Sequence, residues 1–182
     1  MNSDVQIAGD PLAIPHLLPP VPQHPATLAE YAGLLRAVAA DRGTWADLIE
    51  YDATSRWYHR LRTGPGYELW LLSWVPGQGS GRHDHGRSGG LLTVLDGELT
   101  EHTPGTRPGT ADRIRVLRPG DLRVLPAGHI HEVVNDTLAP AVSLHLYHPG
   151  LTEMTMRPHE ARPAAARPGG GPVPAALEGT HG

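Results

Sequence analysis

Cysteine is absent from this chain of 182 residues. Its absence excludes disulfides, thiolate metal ligands and a cysteine nucleophile, and it agrees with a reducing, cytoplasmic setting. Long apolar runs are also missing: no segment approaches the roughly 18 residues of a membrane span. Because prolines interrupt the only apolar stretch near the start, we expect neither a membrane segment nor a signal peptide.

Lysine and arginine form no block, and the formal net charge is -4 with histidine neutral. Such a surface provides no electrostatic attraction for nucleic acid or anionic lipid. We therefore expect small-molecule partners and a monomer or a weak homo-oligomer. Histidine, in contrast, is plentiful, and more than half of the 12 histidines fall between His83 and His148.

The first part of the chain predicts an irregular arm followed by helices. Residues 1–26 are rich in proline and show no periodicity. Thr27 and Glu30 have the spacing of a capping box, and apolar residues then recur at helical spacing. The pattern predicts a helix that begins after Thr27 and stops near Gly43, with a shorter helical stretch from Trp45 to Tyr51.

Short runs rich in leucine, valine, tryptophan and tyrosine follow from Arg56, separated by glycine and proline. Such spacing predicts a mainly β domain, an antiparallel sandwich or barrel. Together with the helices it would span 27–157, whereas 158–182 reads as a disordered tail rich in proline, alanine and glycine. Trp70 and Trp74 share one strand face, where we expect core packing. The predicted strands are 56–61, 67–75, 91–96, 98–102, 113–117, 121–125, 131–135 and 141–147.

The last predicted strand alternates. Apolar residues at 142, 144 and 146 share one face, and Ser143, His145 and Tyr147 share the other. The polar face could belong to an ordinary half-exposed strand or could line a cavity.

Two histidine pairs have the spacing of metal ligands. On a strand, His83 and His85 point to the same side, while Asp84 points away and is a poor ligand candidate. His129 and His131 lie on another turn-bounded strand, from which a third imidazole could come. Imidazole suits iron, zinc, copper and nickel.

These two segments resemble the paired motifs of the cupin superfamily. The first motif, G-x5-H-x-H-x3/4-E-x6-G, is matched by Gly77, His83, His85 and Gly97, with Gly90 in place of the glutamate. The second, G-x5-P-x-G-x2-H-x3-N, is matched in full by Gly120, Pro126, Gly128, His131 and Asn135. The resemblance implies a cupin-type antiparallel β-barrel (jelly roll) with N-terminal helices. It selects His131 as the third ligand, because only this histidine has the required offset from the asparagine.

Further residues resemble the cysteine dioxygenase family of three-histidine thiol dioxygenases. Tyr58-His59-Arg60 is similar to its Tyr-x-Arg element, and 141–147 is similar to its Ser-x-His-x-Tyr strand. The similarity covers about 27–155. It implies a cytoplasmic enzyme that binds Fe(II) through His83, His85 and His131 and converts L-cysteine and O2 to cysteine sulfinic acid.

The resemblance also implies roles for two substrate-binding residues. Arg60 would hold the substrate carboxylate with its planar fork, assisted by Tyr58. Arg62 or Arg157 could serve instead. Arg56 and Arg62 nearby allow the plainer interpretation that this region is simply a basic surface.

For catalysis, the resemblance implies that Tyr147 donates a proton near the bound thiol, oriented by His145 and Ser143. Mammalian relatives carry a cysteine crosslinked to the strand tyrosine. The corresponding position here looks like Gly90, as in bacterial relatives, so no thioether can form.

Three alternatives remain open. Relatives that oxidise 3-mercaptopropionate tend to carry glutamine where this chain has Arg60, which favours cysteine. A non-catalytic cupin that binds a small ligand has no need of three convergent imidazoles. A cupin isomerase with another divalent metal would not need the Ser143, His145 and Tyr147 strand.

Overall fold

The computed structural model describes residues 25–107 and 110–158. One α-helix, α1 (Leu28–Ala40), and two short 3-10 turns (Arg42–Thr44 and Ala46–Leu48) precede the strands. The strands are β1 (Tyr58–Gly64), β2 (Tyr67–Trp74), β3 (His83–Asp84), β4 (Gly89–Asp96), β5 (Leu99–Thr103), β6 (Arg113–Leu117), β7 (Leu122–Leu125), β8 (Glu132–Val134), β9 (Ala141–His148) and β10 (Thr155–Met156).

The strands form antiparallel sheets with two main layers. A five-stranded sheet has the order β1-β2-β9-β4-β7, a three-stranded sheet the order β6-β5-β8, and β10 pairs with β3. The inner face of the large sheet packs on the three-stranded sheet through an apolar cluster that includes Trp74, Val94, Leu99, Leu117 and Val133. This layering is that of a barrel whose interior lies between the two sheets.

Helix α1 covers the outer face of the large sheet. The predicted capping box is confirmed, because the Thr27 side chain accepts from the Glu30 amide and the Glu30 side chain accepts from the Thr27 amide. The buried side chains of Tyr31, Leu35 and Val38 pack against outward residues of β2, β4 and β9. Burial of each large apolar side chain contributes about 1.5–3 kcal/mol.

The segment after α1 differs from its prediction. The helix ends at the C-cap Asp41, two residues before Gly43, and the stretch predicted as a second helix contains only the 3-10 turn Ala46–Leu48. Trp45 is the physical reason: its buried indole N–H donates to the carbonyl of Val38, which turns the chain back onto α1.

Each of the eight predicted strands overlaps an observed one, while β3 and β10 were not predicted. Both have only two residues, too few for a periodic pattern. The first strand begins at Tyr58 and reaches Gly64, later than predicted, and its pairing with β2 shifts between Arg60 and Arg62.

Most of the predicted arm, 1–26, and nearly all of the predicted tail, 158–182, lie outside the described residues. Among the described residues, no helix is both long and apolar enough to cross a membrane. The domain limits, the oligomeric state and the cytoplasmic location stay predictions.

Candidate metal centre

Three buried histidines converge at one end of the barrel interior. His83 lies in β3, His85 follows it, and His131 immediately precedes β8. Reciprocal backbone hydrogen bonds of 2.9 Å join His83 to His131. One ligand atom from each imidazole lies within 4.8 Å of the others, and the Nε2 atoms of His83 and His85 are 3.0 Å apart.

The electrostatics of this cluster suit a cation. Burial lowers the pKa of His83 to about 4 and that of His85 to about 3, so both imidazoles are neutral at pH 7 with lone pairs available. The buried Nε2 of His131 has no hydrogen-bond partner among the described residues. The three side chains therefore fit a divalent transition metal, for which neutral imidazole nitrogens are ordinary ligands.

Each of two ligand rings is oriented by a contact through its other nitrogen. His83 Nδ1 lies 2.8 Å from the carbonyl oxygen of Gly81, and His131 Nδ1 lies 3.3 Å from Glu101 Oε1. Such contacts fix the tautomer and leave Nε2 free for a metal. As the alternation predicts, Asp84 turns away from the cluster, and its Oδ2 accepts from Arg157 at 2.6 Å.

Glu101 is a buried carboxylate that the sequence reasoning missed. Burial alone would raise its pKa, but the nearby His129 ring and the contacts with His131 and Arg123 lower the pKa far below the usual range. Arg123 Nε lies 2.5 Å from Glu101 Oε2, so a guanidinium already neutralises this carboxylate. Glu101, His129 and His131 also lie close enough to hold an ion, yet the adjacent guanidinium opposes a second cation there. A signal existed, since Glu101 shares a strand face with buried Leu99 along β5.

The polar face of β9 lines the cavity and does not meet solvent. Ser143, His145 and Tyr147 are all buried, and Ser143 Oγ lies 2.9 Å from His145 Nε2. The Tyr147 ring packs edge-on against His85, with centroids 4.8 Å apart. Burial raises the pKa of Tyr147 to about 12 and lowers that of His145 well below its usual value. Both side chains are therefore neutral at pH 7.

A partly open cavity lies beside the histidines. Leu72, Trp74, Val133 and Met154 supply apolar parts of its wall. Its other lining residues include His83, His131, His145, Tyr147 and one cation, Arg56. A pocket with this mixed lining suits a small polar ligand.

Arg56 is the second residue that the sequence reasoning did not select. Its guanidinium lies 4.7 Å above the Trp74 ring, and Nη1 donates to the carbonyl of Gly79 at 3.2 Å. The Nε atom is buried without a hydrogen-bond partner, and no carboxylate of the described residues forms an ion pair with this side chain. Burial lowers its pKa, although an arginine stays charged at pH 7.

Arg60 and Tyr58 lie elsewhere. The Arg60 side chain is 53% exposed and pairs with Glu68 at 3.1 Å, and Tyr58 is 63% exposed against the edge of Trp70. Neither residue lines the cavity. Strand register places both side chains on the cavity-facing side of the large sheet, because Tyr58 pairs with Leu72 and Arg60 with Trp70. However, β1 is the edge strand, and both side chains lie exposed beyond the cavity wall. The expected alternatives are no nearer, because Arg62 is exposed and Arg157 pairs with Asp84.

Gly90 lies directly opposite Tyr147 in the pairing of β4 with β9. This is the position where the cupin motif carries glutamate and where the crosslinking cysteine of mammalian relatives was expected. A Cβ at Gly90 would make only ordinary contacts, 3.5 Å or more from its neighbours. The glycine therefore leaves the three imidazoles without a fourth protein ligand from this strand.

Comparisons with known proteins agree with this architecture. A solved Klebsiella pneumoniae protein of unknown function with a double-stranded β-helix domain superposes with a TM-score of 0.54, at 17% identity over 63% of this chain and 94% of that one. A Thermus thermophilus protein superposes with a TM-score of 0.51, at 25% identity over 58% and 93%. These likenesses confirm the predicted mainly β, cupin-type barrel.

The sequence comparisons reach further than the fold. Human cysteine dioxygenase type 1 is 30% identical over 128 residues, 66% of this chain and 64% of the human protein. The chain thus spans less than two thirds of the length of this relative. A sequence model of cysteine dioxygenase type I matches residues 14–158, most of the chain. The chain therefore belongs to the cysteine dioxygenase type I family.

Proposed function

We propose that this protein is a non-haem Fe(II) thiol dioxygenase that converts L-cysteine and O2 to cysteine sulfinic acid. The observation that carries the proposal is a juxtaposition: two imidazoles of the three-histidine cluster, His83 and His131, line the same cavity as Arg56, a guanidinium without a carboxylate partner among the described residues. A small thiol carboxylate is complementary to both groups.

His83, His85 and His131 would hold the iron. When bound, ferrous iron would supply the redox chemistry for oxygen activation and a positive centre that favours thiolate over thiol. Because an imidazole binds a metal in its neutral form, a set of three histidine ligands would not offset that positive charge. The overall reaction balances without a further reductant: the O–O bond breaks, two S–O bonds form, the sulfur is oxidised and O2 is reduced.

In this proposal Arg56, and not Arg60, binds the substrate carboxylate. Its guanidinium borders the cavity, and its buried Nε lacks a protein acceptor. A substrate carboxylate would supply that acceptor and the missing counter-charge. A charge-assisted pair in a half-buried site is roughly twice as strong as a neutral hydrogen bond, so Arg56 would orient the substrate as well as bind it.

Tyr147 would supply the hydroxyl that steers the reacting atoms. With its pKa raised to about 12, the phenol keeps its proton at pH 7 and can donate it. The Tyr147 ring lies against the ligand His85, which sets the phenol beside the metal position. His145 and Ser143 continue the polar face behind it.

Oxidation of 3-mercaptopropionate is the second candidate. This compound also offers a thiol and a carboxylate, and it lacks only the amine of cysteine. No acidic side chain of the described residues lines the cavity, so no carboxylate is available to recognise an ammonium group. The protein should therefore discriminate weakly between the two substrates.

Oxygen uptake tests the proposal. Protein loaded anaerobically with Fe(II) is mixed with oxygen and either L-cysteine or 3-mercaptopropionate, and the sulfinate product is quantified. We expect uptake with cysteine and an equal amount of cysteine sulfinate. His131→Asn should lose iron and activity together, whereas His102→Asn, a histidine outside the site, should lose neither. If iron is bound and neither thiol consumes oxygen, the proposal is wrong.

A further inference from the structure

Trp74 contacts both parts of the site that the proposed function assigns to substrate and proton handling. The side chain is 1% exposed at the end of β2. Its ring meets the Arg56 guanidinium at 4.7 Å, and its Nε1 donates to Ser143 Oγ at 2.9 Å. One indole therefore touches the unpaired cation and the Ser143–His145 pair.

The indole determines the direction of the hydrogen bonds behind Tyr147. An indole N–H can only donate, so Ser143 Oγ accepts from Trp74. The hydroxyl of Ser143 is fully buried, and among the described residues its other partner is His145 Nε2, at 2.9 Å. If Ser143 accepted from His145 as well, its own proton would be buried without an acceptor, which is unfavourable. Ser143 therefore donates to Nε2, and neutral His145 carries its proton on Nδ1.

The same indole supports the cation. Among the described residues, the Arg56 guanidinium lies over the Trp74 face and donates to the carbonyl of Gly79. An aromatic face attracts a guanidinium most strongly where water is excluded. Removal of this face would let the side chain leave the cavity for solvent, since no carboxylate of the described residues forms an ion pair with it.

We propose that Trp74 is a positioning residue with two separable effects: its N–H keeps the His145 proton on Nδ1, and its ring holds Arg56 at the cavity. The catalytic consequences of this inference rest on the proposed function. The two contacts do not, and they can be measured in the metal-free protein.

Two substitutions separate the effects, and a second tryptophan supplies the control. Trp74→Phe removes the N–H but keeps an aromatic face, whereas Trp74→Leu removes both. Trp45 is equally buried, donates its N–H to Val38 O at 3.1 Å and lies under Arg42 at 4.8 Å, but it belongs to the core beneath α1. Trp45→Phe therefore matches the chemical change outside the site.

The first readout is the ring nitrogen spectrum of His145 in protein labelled with 15N-histidine. In the wild type we expect Nε2 at the unprotonated end of its range. Trp74→Phe should move it toward the protonated end, because Ser143 is then free to accept from Nε2, while Trp45→Phe should not move it. With iron and cysteine, Trp74→Phe should lower kcat about fivefold, the effect of one neutral hydrogen bond, and change KM by less than about twofold. Trp74→Leu should in addition raise KM about tenfold.

An unchanged His145 nitrogen shift in Trp74→Phe would overturn the first effect, and an unchanged KM in folded Trp74→Leu would overturn the second. Circular dichroism and thermal unfolding, compared with Trp45→Phe, show whether the variants fold. Should Trp74→Phe fail to fold, Ser143→Ala tests the same contact, because loss of that hydroxyl must also change the His145 nitrogen shift. A wild type without oxygen uptake would refute the proposed function and leave the nitrogen measurement valid.

Discussion

Two arginines four positions apart, one at the cavity wall and one on the exposed edge strand β1, differ in how their charge is balanced. Arg56 and Arg60 each lie over a tryptophan ring, at 4.7 and 5.4 Å. Arg60 is largely exposed and has Glu68 as its counter-ion, whereas Arg56 is half-buried, borders the cavity and has no such partner among the described residues. Keeping an unpaired charge away from water is costly. The comparison teaches that the missing counter-ion, and not the basic residue itself, marks an anion-binding position.

The largest predicted effect separates these two arginines directly. Arg56→Met should lower kcat/KM for cysteine about a hundredfold, because a charge-assisted contact to a carboxylate is lost. Arg60→Met should change kcat/KM by less than about threefold, as expected for an exposed ion pair. Steady-state oxygen uptake by both variants is the measurement. Equal losses in the two variants would contradict the distinction.

A substrate without a carboxylate tests the same difference between Arg56 and Arg60 by changing the substrate and not the protein. Cysteamine keeps the thiol and amine of cysteine but lacks the group that Arg56 would bind. In the wild type we expect kcat/KM to be about tenfold or more lower for cysteamine than for cysteine. In Arg56→Met that ratio should fall toward unity, while in Arg60→Met it should persist. A preference that survives loss of Arg56 would show that another group reads the carboxylate.

The buried histidines make the stability of the metal-free protein depend on pH. Burial lowers the pKa of His83 to about 4 and that of His85 to about 3, whereas an unfolded histidine titrates near 6.5. Between these values the unfolded chain binds more protons than the folded one, so the metal-free protein loses stability as pH falls from about 6.5 toward 4.

Thermal unfolding of the metal-free protein at pH 7 and pH 5 measures this effect. We expect Tm to fall by several degrees, on the order of the change that 1–2 kcal/mol produces in a domain of this size. A His83→Gln/His85→Gln double variant should show a smaller decrease over the same interval. An equal decrease in both proteins would assign the pH dependence to other groups.

The smallest effect is expected at the Arg60–Glu68 ion pair. Glu68→Gln removes the charge opposite Arg60 but retains an acceptor for the Trp70 indole, which lies 3.2 Å from Glu68 Oε2. We expect a loss of about 0–1 kcal/mol in the free energy of unfolding, measured by urea denaturation, and no change in KM. A raised KM would mean that the Arg60–Glu68 pair affects substrate binding.

Much of the barrel could be predicted because its strands follow simple rules. The period-2 pattern of 141–147 placed Leu144 in the core and His145 on the opposite face, and the structure agrees. The prediction that His83 and His85 lie together used only the rule that residues i and i+2 of a strand point to the same side. Such inferences depend on local geometry and survive without knowledge of the tertiary structure.

The two arginines show where this reasoning stops. Tyr58-His59-Arg60 matches a family element by its letters, but whether an arginine meets the substrate depends on its tertiary surroundings. Arg60 lies on the cavity-facing side of an edge strand and is exposed there, whereas Arg56 precedes β1, where no strand period applies. Glu101 is a different case: it shares a strand face with buried Leu99, which signals burial, while its contacts with His131 and Arg123 are visible only in the tertiary structure.

The pairing of β10 with β3 has a consequence for how the protein matures in the cell. The strand that carries His83 pairs with the backbone of His131 and with Thr155–Met156. Both of these supports lie far along the chain from His83. During synthesis the ribosome therefore releases the first two histidines long before their structural supports exist. The proposed metal should therefore bind only after the barrel has closed. A bound ion would mean that the ribosome has already synthesised the strands that support the three histidines.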